Sequence, residues 1–277
     1  MSKFNVMLAH PVGKKEFNKD SFIQPKLDGV RCYITKDGAF SRNHKEFKTV
    51  NHIRRAFKPL FRANPDLVVD GELYNHHFKD DFNKIISLVR KQKPTDKEAE
   101  EATRYIQFHW YDYYHENMNY TFSRRNDNIK SKIEDLDSPY IVGVTTFEVA
   151  HLETAKLAHS DFLKLGYEGS IIRLNEPYEQ KRSYNLQKFK DFQDAEGTIT
   201  GWVEGQGKRI GTIGKFFVRD SDGNSFGCPV MEDFSTMRKM YEMADWYIGK
   251  ICTFTYFQRT PAGSYRHPQF KIVRDYE

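Results

Sequence analysis

Apolar positions along this chain follow two different rhythms. From about residue 20 to 192, short β-rich runs alternate with segments whose apolar residues recur at helical spacing. Phe22-Ile23 and Val30-Arg31-Cys32-Tyr33-Ile34 read as strands, and Asp37-Gly38 before Ala39-Phe40-Ser41-Arg42 predicts a hairpin. Val50, Ile53, Phe57, Leu60 and Phe61 predict a helix over 50–62, and Phe82, Ile85, Ile86 and Val89 predict another. Leu67-Val68-Val69 predicts a buried strand that ends in Asp70-Gly71-Glu72. Residues 93–104 are polar and predict a loop with a short helix, and 105–114 an aromatic strand. Helices are expected over 121–137 and 151–165, the latter stopped by Gly166. Strands follow at 171–174 and 186–190.

After Asp194 the rhythm changes. Glycines punctuate short strands over 196–230, one helix carries Phe234, Met237, Met240 and Tyr241 on a face, and a strand follows at 250–257. Many short strands and one helix in about 80 residues suit a small barrel of the OB type. Two domains are therefore expected, 1–192 and 196–277, with a hinge near 190–196. The fold class is α+β.

Composition narrows the function classes. The 277 residues are 39% hydrophobic, enough for real cores, and no run approaches the roughly 18 uninterrupted apolar residues of a membrane span. The first residues form no apolar leader, so a cytoplasmic protein is expected. Cys32, Cys228 and Cys252 are odd in number and far apart, which fits neither a disulfide framework nor a zinc knuckle. The formal charge of +5 suits an anionic polymer as partner. Residues 196–277 carry 11 Lys and Arg against 10 Asp and Glu, so no basic tail supplies that charge.

Five constellations carry candidate chemistry. Lys26-Leu27-Asp28-Gly29-Val30-Arg31 sets a lysine, preceded by Pro25, in what reads as a tight turn between two strands. A lysine amine attacks only when neutral, and nearby cations favour that form. Asp70-Gly71-Glu72 offers acids for a ribose hydroxyl or a hard cation. Tyr111-Asp112 offers an aromatic for base stacking, although a core strand reads the same way. Glu168-Gly169-Ser170-Ile171-Ile172-Arg173 puts an acid and a cation five residues apart on a strand. Lys188-Phe189-Lys190 puts two lysines on one strand face, a pair suited to a phosphate. Their order matches what attack on an α-phosphate requires: nucleophile, base clamp, metal and charge stabilisation. His76-His77 lacks spaced partners and reads as a solvated loop, and Trp110, Trp202 and Trp246 read as core.

Over about residues 20–277 this ordered set resembles the covalent nucleotidyltransferase superfamily, and within it the compact, phage-type ATP-dependent DNA ligases. The resemblance implies an ATP-grasp-like nucleotidyltransferase domain of antiparallel sheets with flanking helices, followed by an OB domain. It implies that Lys26 takes AMP from ATP and passes it to the 5′-phosphate of nicked duplex DNA, with magnesium (or manganese) as cofactor and the chain acting as a monomer. Gln24, Arg31, Arg42, Glu72, Tyr111, Arg173, Lys188, Lys190 and Arg274 would meet the nucleotide, with Tyr111 stacking on adenine. Glu72 and Glu168 would hold the metal, and Arg42, Lys208, Arg209 and Arg266 the DNA. The Gly-rich stretch 205–214 and the segment 266–275 resemble the opening hairpin and closing motif of ligase OB domains. Arg173 stands where many relatives have lysine, and His44 where they often have glycine. RNA ligases and capping guanylyltransferases share the chemistry and stay open as alternatives, as does a non-catalytic nucleic-acid-binding protein.

Overall fold

The structure, a computed structural model, describes residues 4–12, 20–260 and 263–274. It divides into two compact units between Phe189 and Lys190.

The first unit contains β1 (Leu8–Pro11), β2 (Ser21–Lys26), β3 (Val30–Thr35), β4 (Gly38–Ser41), α1 (Asn51–Ala56), α2 (Lys58–Ala63) and β5 (Leu67–Tyr74). It continues with α3 (Phe82–Val89), α4 (Asp96–Tyr105), β6 (Gln107–His115), α5 (Phe122–Glu134), β7 (Ile141–Gly143), β8 (Phe147–Val149), α6 (Leu152–Lys164), β9 (Gly169–Arg173) and β10 (Arg182–Phe189). Two five-stranded sheets result, one ordered β1-β10-β9-β2-β8 and the other β4-β3-β5-β6-β7. Most pairings are antiparallel; β1 with β10 and β6 with β7 are parallel.

Alternation along the strands sorts the first sheet into two faces. Ile23 and Ile172 point to a core closed by Val149, Ala155 and Phe162. Gln24 and Lys26 therefore share the opposite face, together with Gly169, Ile171 and Lys188, which lie in register with them. In the second sheet, Cys32, Ile34, Val69 and Leu73 join the main core beneath α1, α2 and α3. That leaves Arg31 and Glu72, which pair across the ladder, on the other face.

Several elements depart from the sequence pattern for identifiable reasons. The helix expected over 50–62 is two helices, broken at Phe57, because Pro59 lacks an amide donor and crowds the preceding turn. The strand expected to end at Asp70 runs through Gly71 and Glu72 to Tyr74. The short helix expected within 93–104 is a ten-residue helix fixed by a Thr95–Glu98 capping box. Strands β1, β7 and β8 are three or four residues long, too short to show a period.

The second unit holds β11 (Gln193–Glu204), β12 (Ile213–Arg219), β13 (Ser225–Pro229), α7 (Phe234–Glu242), β14 (Ile251–Tyr256), β15 (Gln258–Arg259), β16 (Tyr265–Arg266) and β17 (Gln269–Val273). Five strands form an antiparallel sheet ordered β13-β12-β11-β14-β17 around Ile199, Phe216, Val218, Phe254 and Phe270. Asp233 caps α7 by accepting from the Ser235 and Thr236 amides. Trp110 is core as expected, but Trp246 is 47% exposed, with the Lys250 ammonium 3.6 Å from its ring centroid. Cys32, Cys228 and Cys252 are free and buried.

Candidate active site

Lys26 is the last residue of β2, not part of a hairpin turn. β2 and β3 lie in different sheets, so residues 27–29 form the crossover between them. β8 pairs only with Ser21, Phe22 and Ile23, so Pro25 sits where β2 has a partner on one side alone and its missing N–H is tolerated. Gly29 lets the crossover pass close to β5. A Cβ there would lie 2.6 Å from the Leu73 carbonyl oxygen and 2.7 Å from Glu72 Cγ. The chain that carries Lys26 is thereby pressed against the strand that carries Glu72.

The Lys26 ammonium forms an ion pair with Glu168, whose carboxylate is nearly fully buried. The backbone reinforces this contact, since the Glu168 amide donates to the Lys26 carbonyl at 3.1 Å. From the second sheet comes Glu72, partly buried. Burial pushes its carboxyl up to about 7, against the pull of Arg31, Lys26 and a hydrogen bond from Tyr111, with Glu168 adding to the rise. The Tyr111 hydroxyl lies 3.1 Å from the Gly71 carbonyl oxygen and 3.2 Å from Glu72 Oε2, so its single O–H is shared between the two acceptors. Arg31 is clamped by Asp70, with Nε to Oδ1 at 2.8 Å and a second nitrogen to Oδ2 at 2.6 Å. Such a bidentate pair fixes the guanidinium plane. Tyr178 donates a further hydrogen bond to Asp70 at 2.7 Å.

Beneath this group lies a buried charge network. Asp112, fully buried, accepts from Arg125 at 2.7 and 3.0 Å and from Arg173 at 2.7 Å. Arg173 also donates to Gln24 Oε1 at 2.6 Å, and Gln24 Nε2 donates to Thr146 at 2.8 Å. The network ties β9 and β2 of one sheet to β6 of the other. Arg173 and Gln24 hydrogen-bond inside the protein, to Asp112, to each other and to Thr146, and so position the strands around Lys26.

Tyr111 sits at an irregularity in its strand. The register slips between Asp70 and Gly71, leaving Tyr111 as the extra residue of a bulge in β6, which re-aims its side chain. Its ring is only 9% exposed, with the Arg31 and Arg173 guanidinium carbons 5.0 and 5.1 Å from the centroid. Lys188 and Lys190 do not share a strand face. Lys188 lies in β10 opposite Ile171, whereas Lys190 falls beyond the strand, in the second unit, with its ammonium 4.5 Å from the Phe257 ring centroid.

A groove of about 580 Å³ opens beside the crossover, lined among others by Gly29, Arg31, Arg42, Lys45, Glu72 and Arg90. Arg42 is exposed there, just past β4. The turn after it contains His44 at φ 62°, a left-handed conformation that glycine adopts without cost. A hydrogen bond between His44 Nδ1 and the Tyr33 hydroxyl at 3.0 Å offsets the strain. Lys45 and Arg90 were not expected at the site; they come from separate segments and only the fold brings them to one groove. Among the described residues no group of three or more His, Cys, Asp or Glu side chains could hold a metal by itself. His76 instead bonds the Tyr74 hydroxyl and the Leu165 carbonyl.

In the second unit, Lys208 and Arg209 sit on an exposed turn between β11 and β12, with Gly207 and Gly211 on either side at φ 61° and 78°. Arg266 is half-buried on β16. Arg274 follows β17 and is held by Thr253 at 2.8 Å and Glu196 at 2.9 Å. Asp275 of the expected closing motif lies outside the described residues.

A lysine ion-paired at a strand end, two carboxylates from facing sheets and a second, OB-like unit define a nucleotidyltransferase-type arrangement. Residues 6–190 match the ATP dependent DNA ligase domain family and residues 204–274 the DNA ligase OB-like domain, so the chain belongs to the ATP-dependent DNA ligase family. It is 29% identical to a DNA ligase of African swine fever virus over 72% of this chain and 48% of the viral protein. It is 23% identical to the DNA ligase of Enterobacteria phage T4 over 88% of this chain and 62% of the phage protein. The chain thus spans about half the length of the African swine fever virus relatives it matches. Among solved structures, a minimal Lig E DNA ligase superposes with a TM-score of 0.78 at 23% identity, covering 98% of this chain and 99% of that one. The bacteriophage T7 ligase in complex with ATP gives 0.57 at 19% identity, covering 98% of each. These two likenesses establish the fold. Among the described residues no helix is long and apolar enough to cross a membrane.

Proposed function

We propose that this chain seals nicks in duplex DNA with ATP, through an AMP carried on Lys26. The observation that carries the reading is the Lys26–Glu168 pair at the end of β2, set against Glu72 and Arg31 from the other sheet. In the first step Lys26 Nζ attacks the α-phosphorus of ATP. A P–N bond forms, the bond to the β-phosphate oxygen breaks, and pyrophosphate leaves. Glu168 stands where it can take the proton that the amine must lose. In the second step AMP passes to the 5′-phosphate of the nick and frees Lys26. In the third the 3′-hydroxyl attacks that phosphate and AMP departs.

Arg31, Arg42 and Lys188 are proposed to hold phosphate oxygens, Lys190 and Arg274 to serve the nucleotide from the second unit, and Lys208, Arg209 and Arg266 to meet DNA. Tyr111 orients Glu72 through its hydroxyl; stacking of adenine on the ring requires the Arg31 or Arg173 guanidinium to give up one face. Glu72 and Glu168 fit magnesium, which is held by one or two carboxylates plus substrate phosphates and not by an all-protein cage. When bound, the ion supplies neutralising charge to the reacting phosphate. We read the chain as acting alone, as a monomer.

The test is incubation with α-labelled ATP and magnesium, then with duplexes carrying a nick whose 3′ side is DNA or RNA. Label should attach to the wild type and not to Lys26→Ala, and the DNA nick should close. Label on the Lys26→Ala protein would remove Lys26 from its role, and closure only of the RNA-sided nick would make this an RNA ligase.

A further inference from the structure

A second groove, of about 510 Å³, lies between the β3–β4 turn and helices α1 and α2. Lys36, Arg54, Arg55, Lys58 and Arg62 line it around Phe61. Residues 47–65 contain five Lys and Arg and no acid, a number equal to the formal excess of the whole chain. Four of those five, Arg54, Arg55, Lys58 and Arg62, line the groove with Lys36, whereas Lys48 pairs with Glu46.

Folding does not call for these cations. α1 buries His52 and Ile53, α2 buries Leu60 and Phe61, and Arg55, Lys58 and Arg62 are exposed. Elsewhere the helices of this unit interleave charges: Lys84 pairs with Glu101, Lys156 with Glu153 and Lys164 with Asp161. In the groove only Arg54 is committed, to Glu46 and to the Asp37 carbonyl. Lys36, Arg55, Lys58 and Arg62 form no ion pair among the described residues. Like charges gathered on one surface repel one another, and an anion relieves that repulsion. Lys58 and Arg62 stand four apart on α2, and Arg55 comes from the end of α1, so cations of both helices meet in the groove. Several cations in one groove suit a chain of phosphates better than one isolated phosphate.

We propose that this groove binds the sugar–phosphate backbone of the duplex flanking the nick; the inference rests on the ligase reading above. β3 runs from the active-site groove, at Val30, to this one, at Thr35. At about 3.3 Å per residue the two are roughly 17 Å apart along the strand.

The test uses the full chain and fluorescence anisotropy with nicked duplexes whose arms, each closed at its end by a non-nucleotide linker, are about 3 or about 12 base pairs on either side of the nick, across a series of salt concentrations. The triple variant Arg55→Ala/Lys58→Ala/Arg62→Ala should bind the long-armed duplex about tenfold more weakly, with the slope of log K against log salt reduced by about 3. It should match the wild type on the short-armed duplex, in labelling by ATP and in melting temperature. A control, Lys130→Ala/Lys156→Ala/Lys164→Ala, removes equal charge from acid-interleaved faces and should leave the slope unchanged. An unchanged slope in the groove variant, or an equal loss on both duplexes, overturns the proposal. So does inorganic tripolyphosphate binding that the variant loses while its duplex affinity holds, because the groove then serves a free anion. Wild-type protein that neither labels nor binds nicked DNA would instead bring down the ligase reading, which the first measurement shows separately.

Discussion

Replacing Asp112 by asparagine is the sharpest test of how the two sheets of the first unit are held together. Asn keeps the volume and one acceptor oxygen but removes the charge. In the native network one carboxylate, fully buried, faces two guanidiniums that are each 3% exposed. The substitution leaves both cations buried with no counter-charge. Breaking a buried pair from one side costs about 3–5 kcal/mol, most of it the penalty of the stranded charge. In a unit of about 190 residues this lowers the melting temperature by roughly 10 °C. Urea unfolding followed by the fluorescence of Trp110, on the same strand, in a Trp202→Phe/Trp246→Phe background reads the effect. Adding Arg173→Met to Asp112→Asn returns the buried charge to its native net value, so the double variant should be more stable than the sum of the two single losses by about 1–3 kcal/mol. Because Arg173 also holds Gln24, two residues before Lys26, labelling by ATP should slow about tenfold in Asp112→Asn at temperatures where the protein stays folded. A loss below about 1 kcal/mol for Asp112→Asn, or strict additivity in the double variant, would refute the network as the tie between the sheets.

Three further outcomes are expected. Glu72 ionises near 7 in the folded protein, above its ordinary value, so its contribution to stability is complete below about 4.5 and is lost as pH rises through 7. In the absence of divalent metal, Glu72→Gln should therefore flatten a decline in unfolding free energy of about 3 kcal/mol between pH 4.5 and 8, measured by urea titration at each pH. Gly29→Ala places a Cβ against the Leu73 carbonyl and Glu72 and should lower stability by about 1–3 kcal/mol while cutting ATP labelling, read by calorimetry and by label incorporation; near-wild-type values for both would show that the crossover is not pressed against β5. Tyr111→Phe keeps the ring but removes the hydroxyl from Glu72, so the magnesium concentration needed for half-maximal labelling should rise about tenfold with melting little changed, and an unchanged requirement would separate Tyr111 from Glu72.

Much of this protein was legible in the residue order because its signals are local. Val50 to Phe61 carry helical spacing and Asp37-Gly38 marks a turn, whereas the glycines after Asp194, read as breaks between short strands, include Gly197 and Gly201 inside the twelve-residue β11. The sequence by itself also determined which side chains could do phosphate chemistry, because nucleophile, acids and cations are properties of residue type. The Thr95–Glu98 capping box was a readable signal for α4 that polarity obscured. What stayed hidden depends on distant partners. Residues 26 and 31 look like neighbours in a hairpin, yet they belong to separate sheets, because strand pairing is chosen by burial across the whole unit and not by proximity in the chain. Asp112, Asp70 and Tyr178 acquire their roles only when burial forbids an unpaired charge and sends each to a partner 13 to 108 residues away. The same rule ties Arg173 and Gln24 into that network. Lys26 was named by its sequence; the tertiary structure decided that it meets Glu168, 142 residues on, across the β2–β9 ladder.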